Sequence, residues 1–240
     1  MWPAEGYGYS LRVVMSDDLA RLLDAIPSGH GPVGLLSSDE FTRLAEPFDR
    51  ALLDAAGQTV ALIFAADPRG ASRSAALAKR HYKRLGATPT VVEVYTRDQA
   101  TADALPSYDI LFLAGGSPSA LLSCLRDTPL WDEAVRRWRD GSALAGSSAG
   151  AMALCRHSLE PVPGANRPTR WSGGLGPIER VALAVHARTA AKEWLDHVAT
   201  TAPVPVIALD EGVGLLLRSE RPVDVLGEGR AWVLAEPGVR

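Results

Sequence analysis

The chain has 240 residues, 47% hydrophobic and 22% charged, with mean hydropathy near zero, the balance of an ordinary globular protein and not of a disordered or membrane-embedded one. Twenty-five basic side chains against 28 acidic ones leave a formal net charge of −3, a field that does not gather nucleic acid. Cys124 and Cys155 lie in apolar stretches that read as helical, outside any CxxC or Cys/His cluster. Neither a disulfide framework nor a zinc site is expected, and a reducing compartment suits them. The first twenty residues lack a basic start and an apolar run of signal-peptide length, and no segment approaches the roughly 18 apolar residues of a membrane span. The expectation is a cytoplasmic protein with no membrane partner.

Residues 1–30 read as an N-terminal arm, with Ser16 capping a short helix whose Leu19, Leu22, Leu23 and Ile26 share one face. Apolar surface on that arm would favour a homodimer. Residues 31–240 read as a single α/β domain. Strand-like runs at Val33–Leu36, Thr59–Ala65, Val91–Tyr95, Ile110–Ala114 and Ala143–Gly146 alternate with helical patterns around 41–56, 73–86, 118–126 and 129–140. Strands without polar alternation, separated by amphipathic helices, predict a mostly parallel sheet with helices on both faces. The Pro/Gly/Arg-rich stretch 161–177 reads as a long surface loop. Short strands follow near 181–185, 205–209, 213–217, 223–226 and 231–235, the last two separated by Gly227-Glu228-Gly229 and expected to form an antiparallel edge.

The most informative segment is the strand Ala143–Gly146 running through Gly146-Ser147-Ser148-Ala149-Gly150 into an apolar helix, the Gly-x-Ser-x-Gly pattern of a nucleophile elbow. Small flanking residues let the backbone turn sharply and leave Ser148 exposed above the strand end, which makes Ser148 the candidate nucleophile. A second strand, Ile110–Ala114, ends in Gly115-Gly116-Ser117, offering amides with no bulky side chain in front of them. The Gly116 and Ala149 amides are therefore the candidate oxyanion hole. The segment lacks the Lys and Ser/Thr of a phosphate-binding P-loop.

A serine nucleophile needs a base. His157 follows on what reads as the same helix, too far along its axis to reach Ser148. His81 lies on the charged face Lys79-Arg80-His81-Tyr82-Lys83-Arg84 and reads as solvated, His30 precedes the first strand, and His197 reads as a surface residue. His186 ends the apolar run Val181–Val185, at the strand end where α/β sheets place their sites, and is the candidate base. The residue that orients it is a carboxylate after Val206–Leu209, Asp210 or Glu211, with Glu160 a weaker third.

Together these segments resemble the dipeptidase E and cyanophycinase family of serine peptidases. Four motifs carry the resemblance in the same order: Gly115-Gly116-Ser117 through Leu121-Leu122, Gly146 to Ala151, Gly174-Leu175-Gly176 leading to His186, and Ile207 to Gly212. It covers roughly residues 31–234. It implies a class I glutamine-amidotransferase-like (flavodoxin-like) fold and a metal-free, cofactor-free mechanism with Ser148 as nucleophile, His186 as base and Gly116 and Ala149 at the oxyanion. Glu211 would be the acid as in the cyanophycinase-like branch, or Glu160 as in the dipeptidase branch. The resemblance also implies a peptide or other small acyl substrate, cleaved after aspartyl residues or from an Asp-linked polymer, with Ser117 and Arg188 as the candidate substrate contacts. The chain departs from the family around the base, where Ala184-Val185 precede His186, Ala187 follows it and only Arg188 is near. The family's substrate specificity therefore does not carry over with its nucleophile. The competing readings are a non-catalytic amidotransferase-like binding module and a small-molecule esterase or amidase.

Overall fold

Of the chain, a computed structural model describes residues 12–13, 19, 21–23, 26–161, 169–219 and 222–235. Four apolar runs form the parallel strands β2 (Val33–Leu36), β3 (Thr59–Ile63), β5 (Ile110–Leu113) and β6 (Ala143–Ser147), and a fifth strand, β4 (Thr88–Val92), starts three residues before the expected run Val91–Tyr95 and is half-exposed. With β11 (Gly214–Leu217) and β12 (Asp224–Leu226) they make a seven-stranded sheet in the order β12-β11-β2-β6-β5-β3-β4, parallel except for the two strands at the β12 edge. Successive side chains of a strand point to opposite faces, and the sheet uses both. Val33, Leu35, Ile63, Leu111, Leu113 and Leu144 pack on one face, whereas Leu36, Val60, Leu62, Ile110, Phe112 and Ala145 pack on the other. This is why β2, β5 and β6 carry no polar alternation, whereas the edge strand β4 does.

The second face is covered by α1 (Glu46–Ala56) through Phe48, Leu52 and Leu53, and by α2 (Ala71–Arg84) through Ala78 and Tyr82. The first is covered by α3 (Pro118–Leu125), α4 (Pro129–Arg139) and α5 (Ala149–Ala153). Ser117 and Thr128 cap α3 and α4, each accepting from an amide three residues on, with proline next in the chain. That placement satisfies an orphan amide and uses a residue that has none to offer. The sequence pattern 41–56 yields helix only from Glu46, because Phe41 has φ of 65° and Pro47 opens the first turn.

A smaller sheet packs beside this layer, with strands β1 (Arg12–Val13), β13 (Ala231–Ala235), β10 (Val206–Leu209) and β9 (Ala182–Ala184) in that order. Its β9 and β10 are parallel, and β13 is antiparallel to both β10 and β1. Gly227-Glu228-Gly229 therefore does not close a hairpin: β12 before it pairs within the large sheet and β13 after it within the small one. Leu19, Leu23 and Ile26 are buried in the core; Ser16 lies outside the described residues. The helix α6 (Lys192–Thr201) follows β9.

Three further expectations are corrected. The stretch 161–177 is not simply a loop, since β7 (His157–Pro161) pairs antiparallel with β8 (Thr169–Gly173), Glu160 opposite Arg170; residues 162–168 lie outside the described set. His157 opens β7 and does not share a helix with Ser148, because α5 stops at Ala153; Cys155 likewise lies beyond the helix. His81 is buried, not solvated: its Nε2 lies 2.7 Å from the Asp49 carboxylate, to which Tyr82 also donates from 3.0 Å. Burial pushes the Asp49 carboxyl above its ordinary range even against those two hydrogen bonds. Among the described residues no helix is long and apolar enough to cross a membrane.

Candidate active site

Strand β6 delivers Ser148 to the C-terminal edge of the large sheet, where the chain turns into α5. The turn is tight enough that a Cβ on Gly146 would fall 2.5 Å from the Gly150 carbonyl carbon, and one on Gly150 would fall 2.0 Å from the Leu113 carbonyl oxygen. Only glycine fits at either place. Ser148 itself holds φ 50° and ψ −112°, a region that an L side chain enters at a cost of about 1–3 kcal/mol. Its amide donates to the Leu36 carbonyl and its carbonyl accepts from Met152, so the backbone is clamped on both sides of the serine. Ala149 opens α5, so its amide has no acceptor one turn back in the helix. Gly116 lies just beyond the end of β5 and lines the same cleft as Ser148, while Ala149 follows Ser148 in the chain and is buried.

The smaller sheet brings His186 to this rim. The Ser148 Oγ and the His186 Nε2 are 3.1 Å apart, within the hydrogen-bond reach that a nucleophile and base require. His186 also has a positive φ, 57°, and its amide donates to the Ser37 Oγ from 3.0 Å while that hydroxyl donates to the Leu209 carbonyl from 3.1 Å. A single buried serine at the end of β2 thus ties the two sheets together next to the candidate base.

The three carboxylates weighed from the sequence occupy different positions. Asp210 accepts from the Arg230 amide and the Trp232 Nε1, both from 3.1 Å, and so pins β13 to β10. Glu160 accepts from the Ser119 Oγ at 2.6 Å and lies 3.8 Å from Arg170. Glu211 accepts from the amide and the hydroxyl of Thr189, three residues beyond His186. Its other oxygen, Oε2, is buried, accepts no hydrogen bond and lies 3.4 Å from the Arg188 Nε. Burial alone would raise the Glu211 carboxyl, but the Thr189 hydrogen bonds and the Arg188 charge outweigh it and hold the group below its ordinary value. None of the three is hydrogen-bonded to His186.

Two other residues at the rim carry no motif. The Glu40 carboxylate accepts from the Gly115 amide at 3.1 Å and from the Ser147 hydroxyl at 2.8 Å, so it braces the two loops that hold Gly116 and Ser148. It sits between Asp39 and Phe41, both with positive φ. Ser38 accepts from the Gly212 amide at 3.2 Å. Their only signal in the sequence is position, since Ser37-Ser38-Asp39-Glu40 follows an apolar strand at the sheet edge where sites form.

Ser148 and His186 open onto a cleft of about 460 Å³, also lined by Gly116, Met152, Leu159, Val185 and Trp194. Neither residue expected from the sequence to contact substrate lines it. Ser117 is turned to its own helix as the cap of α3, and Arg188 is turned to Glu211. His30 stacks edge-on against Trp138, and the His197 Nε2 lies 2.9 Å from the Thr169 carbonyl.

The model of Peptidase family S51 matches residues 34–223, from β2 almost to β12 and including every residue of this rim. The chain belongs to Peptidase family S51. Cyanophycinases from Trichormus variabilis and a Nostoc species are 27% identical over 167 residues, 65% of this chain and 56% of theirs. The S51 chain thus spans little more than half the length of these relatives. Among solved structures, a peptidase from an acI-B1 Actinobacterium superposes with a TM-score of 0.76 at 23% identity, over 88% of this chain and 93% of that one. A protein described as a peptidase E, from Listeria monocytogenes EGD-e, superposes at 0.63 with 16% identity, over 83% and 99%. At these identities the two structures establish the fold: the mostly parallel α/β architecture of peptidase E-like proteins.

Proposed function

We propose that this S51 chain is a serine peptidase that works through an acyl-enzyme. The observation that carries the reading is the 3.1 Å approach of the Ser148 Oγ, on a strained turn, to the His186 Nε2 at the mouth of a cleft. In this reading Ser148 attacks the scissile carbonyl as His186 takes its proton, and the Gly116 and Ala149 amides hold the oxyanion. His186 then protonates the departing amine, and water, deprotonated by the same imidazole, releases the acid and restores Ser148.

Glu211 is the acid we favour. Its buried Oε2 accepts no hydrogen bond, and its other oxygen is held by Thr189 on the turn that carries His186. Glu160 is committed to Ser119 and Asp210 to β13.

A fluorophosphonate probe tests the reading. Peptide mapping is expected to find the label on Ser148 alone, with labelling abolished in Ser148→Ala and reduced at least about 1,000-fold in His186→Ala. A folded protein that takes no label would overturn the reading and leave a binding module.

A further inference from the structure

We propose that the cleft beside Ser148 takes an apolar side chain, so that the chain selects substrates with an aliphatic or aromatic residue next to the scissile carbonyl over acidic or basic ones. This inference rests on the serine-peptidase reading and names its substrate class. Besides Gly116 and Pro118, the cleft walls are Met152, Leu159, Val185, Ala190, Ala191 and Trp194, with Thr169 and Thr189 the polar members apart from the Ser148 and His186 pair. No charged side chain is among the described residues that line it. At about 460 Å³ the cleft falls within the roughly 300–1,000 Å³ range of small-molecule sites.

Among the described residues, Glu160, Arg170 and Arg188 are absent from the lining and paired with one another or with Glu211. Side chains alternate along the β7–β8 hairpin, which puts Leu159 and Thr169 on the cleft side and Glu160 and Arg170, paired opposite each other, on the other. Glu160 is held by Ser119, and Arg170 lies 3.8 Å from Glu160. Arg188, the one arginine close to His186 in sequence, faces Glu211. An aspartyl or arginyl side chain entering this cleft would shed its water and meet no counter-charge among the described lining residues, whereas an apolar one replaces water on the cleft walls.

The experiment measures how fast the fluorophosphonate labels Ser148 in the presence of N-acetyl-leucine, N-acetyl-phenylalanine, N-acetyl-aspartate or N-acetyl-arginine. Hydrolysis of the matching 4-nitrophenyl esters is followed in parallel. The leucine and phenylalanine compounds are expected to protect Ser148, and their esters to turn over with kcat/KM at least about 100-fold above the aspartate and arginine esters, since a single methylene in such a pocket already discriminates by about 10–200-fold. Ala190→Arg, at a half-buried position on the cleft wall, is expected to move protection toward N-acetyl-aspartate. Labelling at Ser148 with equal or stronger protection by N-acetyl-aspartate, or with no protection by any of the four, overturns the inference and leaves the nucleophile reading standing. Absence of labelling overturns that reading and the inference with it.

Discussion

Ser148 shows how much a short motif can encode. Its backbone conformation is one that glycine adopts freely and serine does not, so the side chain is kept there against a local cost. Ser148→Gly is expected to abolish labelling and yet to be more stable than Ser148→Ala by about 1 kcal/mol, because alanine keeps the strain and glycine releases it. Urea midpoints of the two variants measure the difference, and equal midpoints would show that the turn is unstrained. This residue was legible in the sequence because its constraint is local, with small residues on both sides of it. Glu40 and Ser37 were not, since the groups they bond lie 75, 107 and 149 residues away. His81 failed for the same reason. Its charged neighbours describe an exposed face, but the partner that buries it, Asp49, comes from α1, 32 residues earlier.

At the scale of elements, four of the five parallel strands and the four longer helices that cover them follow from hydrophobic period, and their bounds shift by only a few residues; β4, a polar edge strand, overlaps its expected run at only Val91 and Val92. The elements that escaped are held by pairing and not by period. The β7–β8 hairpin joins two half-polar runs across a Pro- and Gly-rich stretch, which offers no run of apolar residues to read. The turn at Gly227 resembles a hairpin turn locally, but its flanking strands find better partners in separate sheets. The junction of β6 with α5 is the reverse case, fixed by sterics that two glycines announce. Gly150→Ala would press a methyl group onto the Leu113 carbonyl, backbone that cannot swing aside. It is expected to cost about 1–3 kcal/mol or more, read as a lowered thermal midpoint, and an unchanged midpoint would mean that α5 can shift away from β5.

Over the whole molecule, carboxylates join elements that are distant in the chain, and their titration couples stability to pH. Glu160 joins β7 to α3 through Ser119. Burial would raise its carboxyl, but the Ser119 hydrogen bond and the Arg170 charge outweigh this and hold it below the ordinary 4.5. A carboxyl lowered in the folded state contributes stability that is complete above its unfolded value and lost as pH falls through the folded one. Glu160→Gln is therefore expected to flatten the decline in urea midpoint as pH falls below the ordinary carboxylate value, relative to the parent chain. A decline of the same slope in both would show that Glu160 gains nothing from its partners.

The division of the rim between two sheets also has a consequence in time. Ser148 and the glycine loop before it come from strands that precede residue 150, whereas His186 and Glu211 come from the smaller sheet. On a ribosome adding about 5–20 residues per second, the stretch from Ser148 to Glu211 takes roughly 3–13 s to appear. For the first 38 residues of that stretch the growing chain carries its serine before His186 has been added, and β9, which leads to His186, finds its partner strand only when β10 follows. On the reading proposed for this site, the nascent chain has no complete catalytic machinery until then.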